Sequence, residues 1–311
     1  MKNQPAVIQL ALLGLLLMLA APAAAETLVL DDLEQYEFAG TLMGRGEFFK
    51  AVLEYERLLH FFPGSPLADE ATFGIGLAYD GAGEHAAAGD VYRGFLLEYP
   101  DSELLPEIRL ALGRSLALRY RYQDARRELE TLAGEEPPTT ASGRAAILHG
   151  LTYLPVDDFA AAGESFSWAA ERFTDEPAGE LAEVLADLAG RRDEVDTLSP
   201  IFNGFLSALV PGLGQIIAGR TADGFIALFT NALWIGGTVW AVSEDEIPTA
   251  VVTGLFGLSF YVGNVYNAGE AAAELNRRRI AALTAEIVTE VRAWERENGT
   301  GVTLAPEVVE P

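Results

Sequence analysis

The chain has no cysteine and only three histidines among its 311 residues. Without thiols there are no disulfides, no thiolate nucleophile and no cysteine-ligated zinc. There is also no lipid-acceptor residue after the apolar N-terminal stretch, so a lipoprotein is excluded. His60, His85 and His149 have no second histidine at metal-ligand spacing, and no metal or other cofactor is expected. Basic residues are scarce: 21 Lys+Arg stand against 46 Asp+Glu, a formal charge of −25, and the only lysines are Lys2 and Lys50. Most of the excess lies between Glu26 and Ser199, where 34 acids and 14 bases leave −20. A field of that sign repels phosphate backbones and anionic headgroups, so nucleic acid is not a partner. The carboxylate pairs Asp157-Asp158 and Glu244-Asp245-Glu246 lack a neighbouring pocket residue and read as solvated charge. No catalytic constellation remains, and the expectation is a non-enzymatic protein.

What the chain does contain is a repeat. Ala51, Ala88, Ala125 and Ala162 are each 37 residues apart. Phe48, His85, Tyr122 and Phe159 stand three residues before them, and Tyr55, Tyr92, Leu129 and Phe166 four residues after. Gly76, Gly113 and Gly150 keep the same interval, with Ala39 in the first copy. A fixed period of this size marks stacked units that bury their faces against one another. Within a unit, small residues let two helices approach while aromatics fill the space beside the contact.

Gly76, Tyr79, Ala88, Tyr92, Phe95 and Pro100 resemble the tetratricopeptide repeat (TPR) consensus, lengthened by segments such as Phe62-Pro63-Gly64-Ser65-Pro66. The third copy departs at Pro137-Pro138, and the fourth has Thr174 where proline is expected. The resemblance implies a TPR solenoid over 28–198, with four repeats and a capping helix after Pro177. Its longer unit is similar to TPR proteins of the bacterial envelope. It further implies a ligand-facing strip on the first helix of each repeat: Tyr36; Glu70, Phe73, Leu77 and Asp80; Glu107, Leu110 and Arg114; Arg144, Ile147 and Leu151, with Leu33, Met43 and Leu154 beside them. Such a strip suits a protein or peptide partner. The competing reading is that these side chains pack between repeats.

The ends of the chain suggest an address. Lys2, the apolar run Ala6–Ala20 and the small residues Ala21 to Ala25 form the pattern of a secretory signal peptide, expected at 1–25. After a charged linker at 191–196 the character changes. Residues 224–242 and 247–267 are long and apolar enough to cross a bilayer, with an acidic turn between them and no basic residue between Arg220 and Arg277. Residues 200–218 read as a third, kinked crossing or a re-entrant stretch; the third crossing is expected, completing a membrane module at 199–270. Pro211-Gly212-Leu213-Gly214-Gln215, Gly219-Arg220 and Gly224, with Gly263-Asn264 near the end, resemble the small TM2-type membrane modules. Ile216-Ile217 depart from that pattern, and the resemblance implies little about activity.

The fold class expected is therefore all-α, a TPR-type solenoid followed by a small transmembrane helical module. The charge bias and a third crossing would leave the repeats periplasmic and the tail after Arg277 cytoplasmic at the inner membrane. Ile280, Leu283, Ile287, Val291 and Trp294 give the tail, 271–298, one apolar stripe, for the inner leaflet or for a second copy in a homo-oligomer. Two functions stand side by side. One is a membrane-anchored scaffold binding an envelope partner. The other is a membrane-biogenesis or channel component whose active part is the 199–270 module, with the repeats recruiting.

Overall fold

The structure is a computed structural model that describes residues 31–298; the expected signal peptide lies outside the described residues. All regular elements in that range are helical. Four helix pairs follow the 37-residue register: α1 (Asp32–Gly44) with α2 (Phe48–Phe61), α3 (Ala68–Gly81) with α4 (His85–Glu98), α5 (Leu105–Leu118) with α6 (Tyr122–Ala133), and α7 (Thr140–Leu151) with α8 (Phe159–Arg172). Local chemistry starts several of them. Asp31 accepts a hydrogen bond from the Glu34 amide at 2.7 Å, and Thr139 and Ser142 form a reciprocal capping box at α7.

The periodic residues form the core. Ala51, Ala88, Ala125 and Ala162 are fully buried. A Cβ added to Gly76 would lie 2.2 Å from the Tyr92 ring, on Gly113 2.5 Å from Leu129, and on Gly150 2.3 Å from Phe166. The glycine of the first helix thus makes room for the large side chain of the second, and each such buried side chain contributes about 1.5–3 kcal/mol. Neighbouring repeats are tied by equivalent polar contacts: Ser65 donates to Asp32 at 2.6 Å and Ser102 to Asp69 at 2.7 Å. The proline-rich third copy keeps its register because Arg172 donates to the carbonyls of Ala133 and Glu135, at 2.8 and 2.9 Å. Those bonds satisfy acceptors that the end of α6 leaves open.

α9 (Pro177–Gly190) starts with Pro177, 37 residues after Thr140, and so stands where the first helix of a fifth repeat would begin. Its antiparallel partner does not come next in sequence. After α9 the chain enters α10 (Pro200–Leu209), α11 (Leu213–Ile217), α12 (Thr221–Ser243) and finally α13 (Ile247–Asn298), a helix of 52 residues. At 1.5 Å per residue α13 extends about 78 Å. Its last turns come back to α9. Asn276 exchanges two hydrogen bonds with the Leu198 backbone, at 2.8 and 2.9 Å. Arg279 then meets Asp196 at 3.4 Å, Glu286 meets Arg191 at 3.0 Å, and the Trp294 indole donates to the Pro177 carbonyl at 2.9 Å. Partner numbers fall as α13 advances, so the pairing is antiparallel.

Two expectations are corrected here. The stripe Ile280, Leu283, Ile287, Val291 and Trp294 does not lie free for a leaflet or a second copy: it joins the hydrophobic core of the solenoid. The tail and the repeats consequently sit together, where opposite faces of a membrane were expected. Nor do residues 200–218 form a crossing helix. α10 has ten residues, about 15 Å of rise against the ~30 Å of a bilayer core. The chain breaks after it at Gly212, whose φ is 90°. Among the described residues, two helices are long and apolar enough to cross a membrane, α12 and α13, and their apolar stretches are largely exposed.

Candidate functional site

The strip on the first helices divides into an open and a closed half. In the first two repeats the side chains are half-buried: Tyr36 packs 5.5 Å from the Tyr55 ring, Phe73 lies 6.2 Å from Tyr92, and Leu77 rests on the core. Burial, and then the charge of Glu70, raises the Tyr36 pKa, so this phenol stays a neutral donor. Hydrogen bonding to the neighbouring Asp69 carboxyl, followed by burial, raises the pKa of Glu70, which makes it a more ready proton holder than an ordinary glutamate.

Asp80 is the polar centre of this half. Buried at the end of α3, it accepts from the Tyr92 hydroxyl at 2.9 Å and pairs with His85 Nδ1 at 2.8 Å, and Arg114 of the next repeat stands 3.9 Å away. Burial pushes the Tyr92 pKa well up, and the Asp80 charge adds to the effect. Glu107 and Arg144, 37 residues apart, form a second bridge, between repeats three and four, at 3.1 Å. These two pairs join repeat to repeat.

In the other half the apolar members of the strip are closed. Leu110 and Ile147 have no exposed surface and Leu151 is buried; all three belong to the continuous core that also includes Leu283, Ile287 and Val291. As partner-contacting residues they are corrected to inter-repeat packing, because burial against neighbouring helices leaves them nothing to present. Arg144 is also buried, its charge directed to Glu107.

The motif of the apolar half converges on a joint between α10, α11 and α13. Gln215 donates to both the carbonyl and the side-chain oxygen of Asn264 at 3.0 Å and accepts from Ser207 at 2.8 Å. Asn264 accepts from the Gly212 amide at 3.1 Å and donates to the Ser207 carbonyl at 3.0 Å. Asn203 donates to the carbonyls of Gly214 and Ala268, at 2.9 and 2.7 Å. The Gly212 and Gly214 amides and the Gly214 carbonyl at the break thus have buried side-chain partners, as irregular backbone in apolar surroundings requires. Gly212 and Gly224 touch through their backbones: a Cβ on Gly212 would lie 1.9 Å from the Gly224 carbonyl oxygen. Pro211 occupies the turn itself, half-buried. Gly219, with φ 80°, leads into α12, where Arg220 pairs with Asp223 at 2.7 Å. Gly263 borders a cavity of about 360 Å³ between α12 and α13.

Two polar residues, Ser207 and Asn231, are not legible from sequence as functional. Ser207 stands four residues after Asn203 and Asn231 follows Thr230, but polar residues so few in apolar runs read equally as helix packing. Ser207 is fully buried in the joint, and Asn231 is 2% exposed in the middle of α12.

No family model matches the chain, and no curated protein does. Among solved structures it is similar to a tetratricopeptide repeat protein from Parabacteroides merdae ATCC 43184, with 16% identity, a TM-score of 0.42, and coverage of 77% of this chain and 98% of that one. A likeness at that level carries no weight here, and the repeat architecture rests on the internal register and the stacked helix pairs.

Proposed function

We propose that the protein is a non-enzymatic scaffold, anchored by the α12–α13 hairpin in the bacterial inner membrane, whose open repeats hold a protein or peptide partner in the envelope. The observation that carries this reading is the combination of a helical repeat stack with two long exposed apolar helices, the second of which returns to pack on the final repeat. The half-buried aromatics Tyr36 and Phe73, bordered by Glu70, Asp80 and Arg114, supply an apolar strip with a charged margin suited to a peptide. The route of the chain supports an even number of crossings. Repeats and tail then share one side of the membrane, and Glu244–Glu246 face the other.

Two rules conflict on which side that is. Six arginines (Arg191, Arg192, Arg220 and Arg277 to Arg279) flank the hairpin on the solenoid side, which favours the cytoplasm. The N-terminal signal pattern favours export, and long domains are translocated largely regardless of flanking charge. We assign the repeats and tail to the periplasm on that ground. Periplasm-active phosphatase fused after Asp196, Asp245 or Asn298 is expected to be on, off and on. Off, on and off would overturn the periplasmic side and keep the shared one. Opposite states at Asp196 and Asn298 would overturn the hairpin itself.

Partner capture is tested separately. A photo-crosslinking residue at Phe73 or Tyr36 in intact cells should yield a discrete adduct, and one at the exposed Leu97 of α4 should not. Equal adducts at all three positions would remove the strip as the binding face. The second reading, an active 199–270 module, draws on the polar cavity in the hairpin. It predicts that an unrelated anchor cannot replace that module, whereas the scaffold reading predicts that it can.

A further inference from the structure

The cavity between α12 and α13 has a volume of about 360 Å³ and is bordered by Gln215, Arg220, Asp223, Asn231, Ser259 and Phe260, among others. Its polar groups are not equally free. Gln215 spends its amide and its oxygen on Asn264 and Ser207. Arg220 directs Nε and Nη2 to one oxygen of Asp223. Ser259 donates its proton to the Leu255 carbonyl at 3.0 Å, which leaves only lone pairs. Asn231 donates to the Ala227 carbonyl at 2.8 Å, while its Oδ1 is buried with no hydrogen-bond partner. Asn267, more exposed, adds an amide of either polarity.

The unspent acceptors are Asn231 Oδ1, the Ser259 hydroxyl oxygen and the second oxygen of Asp223, and beside them Arg220 Nη1 and the Thr230 hydroxyl can donate. A buried acceptor left without a donor in apolar surroundings is costly, and native structures rarely tolerate it. The cavity also lies between two helices whose outer faces are exposed and apolar, with Ile226 and Phe260 in its wall. We propose that it is a binding site for the polar head of a bilayer amphiphile that donates hydrogen bonds, through an ammonium or a hydroxyl group, to Asn231 and Ser259. This rests on the membrane-anchor reading above. A head offering only acceptors, or one capped by methyl groups, leaves Asn231 unsatisfied and is discriminated against.

The test uses the full chain in nanodiscs of phosphatidylcholine containing either phosphatidylethanolamine or phosphatidylglycerol, with native mass spectrometry counting the lipids retained on release. The wild type should retain the ethanolamine lipid, the glycerol lipid or both over phosphatidylcholine, and the preferred one identifies ammonium or hydroxyl as the donor. Asn231→Leu should weaken that retention about tenfold, the scale of one hydrogen bond to a buried partner. Ser259→Ala, which changes less volume, provides the same reading if Asn231→Leu does not fold. Equal retention of all three lipids by the wild type, or undiminished selectivity in both variants, would overturn the site and leave a cavity holding water. A chain that fails to enter nanodiscs at all would overturn the membrane reading instead, a result distinct from insertion without selectivity.

Discussion

Glycine packs closely in both halves of the molecule, but against different things. In the repeats, Gly76, Gly113 and Gly150 face the side chains of Tyr92, Leu129 and Phe166. In the joint, Gly212 and Gly224 face each other's carbonyls, and Gly214 faces the Asn203 carbonyl at 2.4 Å from a built Cβ. A ring can turn or be exchanged for a smaller group. A carbonyl fixed in a helix can move only with the helix. The contacts within the paired helices of the repeats can thus adjust by side chain, whereas the joint, like Gly179 at the start of α9 with the Phe173 carbonyl 2.0 Å from a built Cβ, admits little change.

The largest effect should follow Gly212→Ala. The position combines φ 90° with a Cβ contact of 1.9 Å to a backbone oxygen, and left-handed strain adds to overpacking for a total of about 3 kcal/mol or more. Limited proteolysis between α10 and α12 in detergent should show the joint opened. An unchanged cleavage pattern would remove the claim that backbone contact makes the joint rigid.

Next comes Ile287→Ala. Ile287 is fully buried where α13 meets the solenoid, and loss of its side chain should cost about 2–5 kcal/mol. The terminal turns of α13 should become protease-sensitive before the repeats do. Simultaneous loss of both would mean that α13 is integral to the whole stack and not only its closing helix.

Gly76→Ala should cost about 1–3 kcal/mol by overpacking. The sharper measurement is rescue. Measured against Tyr92→Val alone, adding Gly76→Ala should cost less in a thermal melt than it does in the wild type, because the obstacle is a side chain. No side-chain change should rescue Gly212→Ala, and if one does, the contrast between the two regions fails.

The smallest effect concerns pH. Burial lowers the pKa of His149, which pairs with Ser165 at 2.8 Å, below its ordinary 6.5. The folded state then binds fewer protons than the unfolded one, so this contribution is present above 6.5 and declines as the pH falls toward the folded value. His149→Gln should flatten the pH dependence of the melting temperature below 6.5. An identical slope in the variant would locate the sensitivity elsewhere.

The repeat was legible because it is local: each helix pair is specified by residues within one 37-residue unit, and Ala51, Gly76 and Tyr92 identify the helices and the contact between them. The apolarity of α12 and α13 was legible for the same reason, since composition alone decides it. The strip was read only in part. A first-helix position can face a partner or the next repeat, and which one holds depends on how closely successive helices stack. Leu110 and Ile147 proved to face the stack, while Tyr36 and Phe73 keep part of their surface. The return of α13 to α9 was not legible at all. The stripe from Ile280 to Trp294 states that a helix has an apolar face but carries no information about its partner, which stands about a hundred residues away, as in the 117-residue separation of Trp294 from Pro177. Sequence by itself determined the periodic helices, their small-to-large contacts and the two long apolar helices, because these depend on neighbours along the chain. Only the tertiary structure decided that the fifth repeat is completed from the far end of the chain. That choice arises because burying the stripe against α9 removes more apolar surface from water than leaving both faces open.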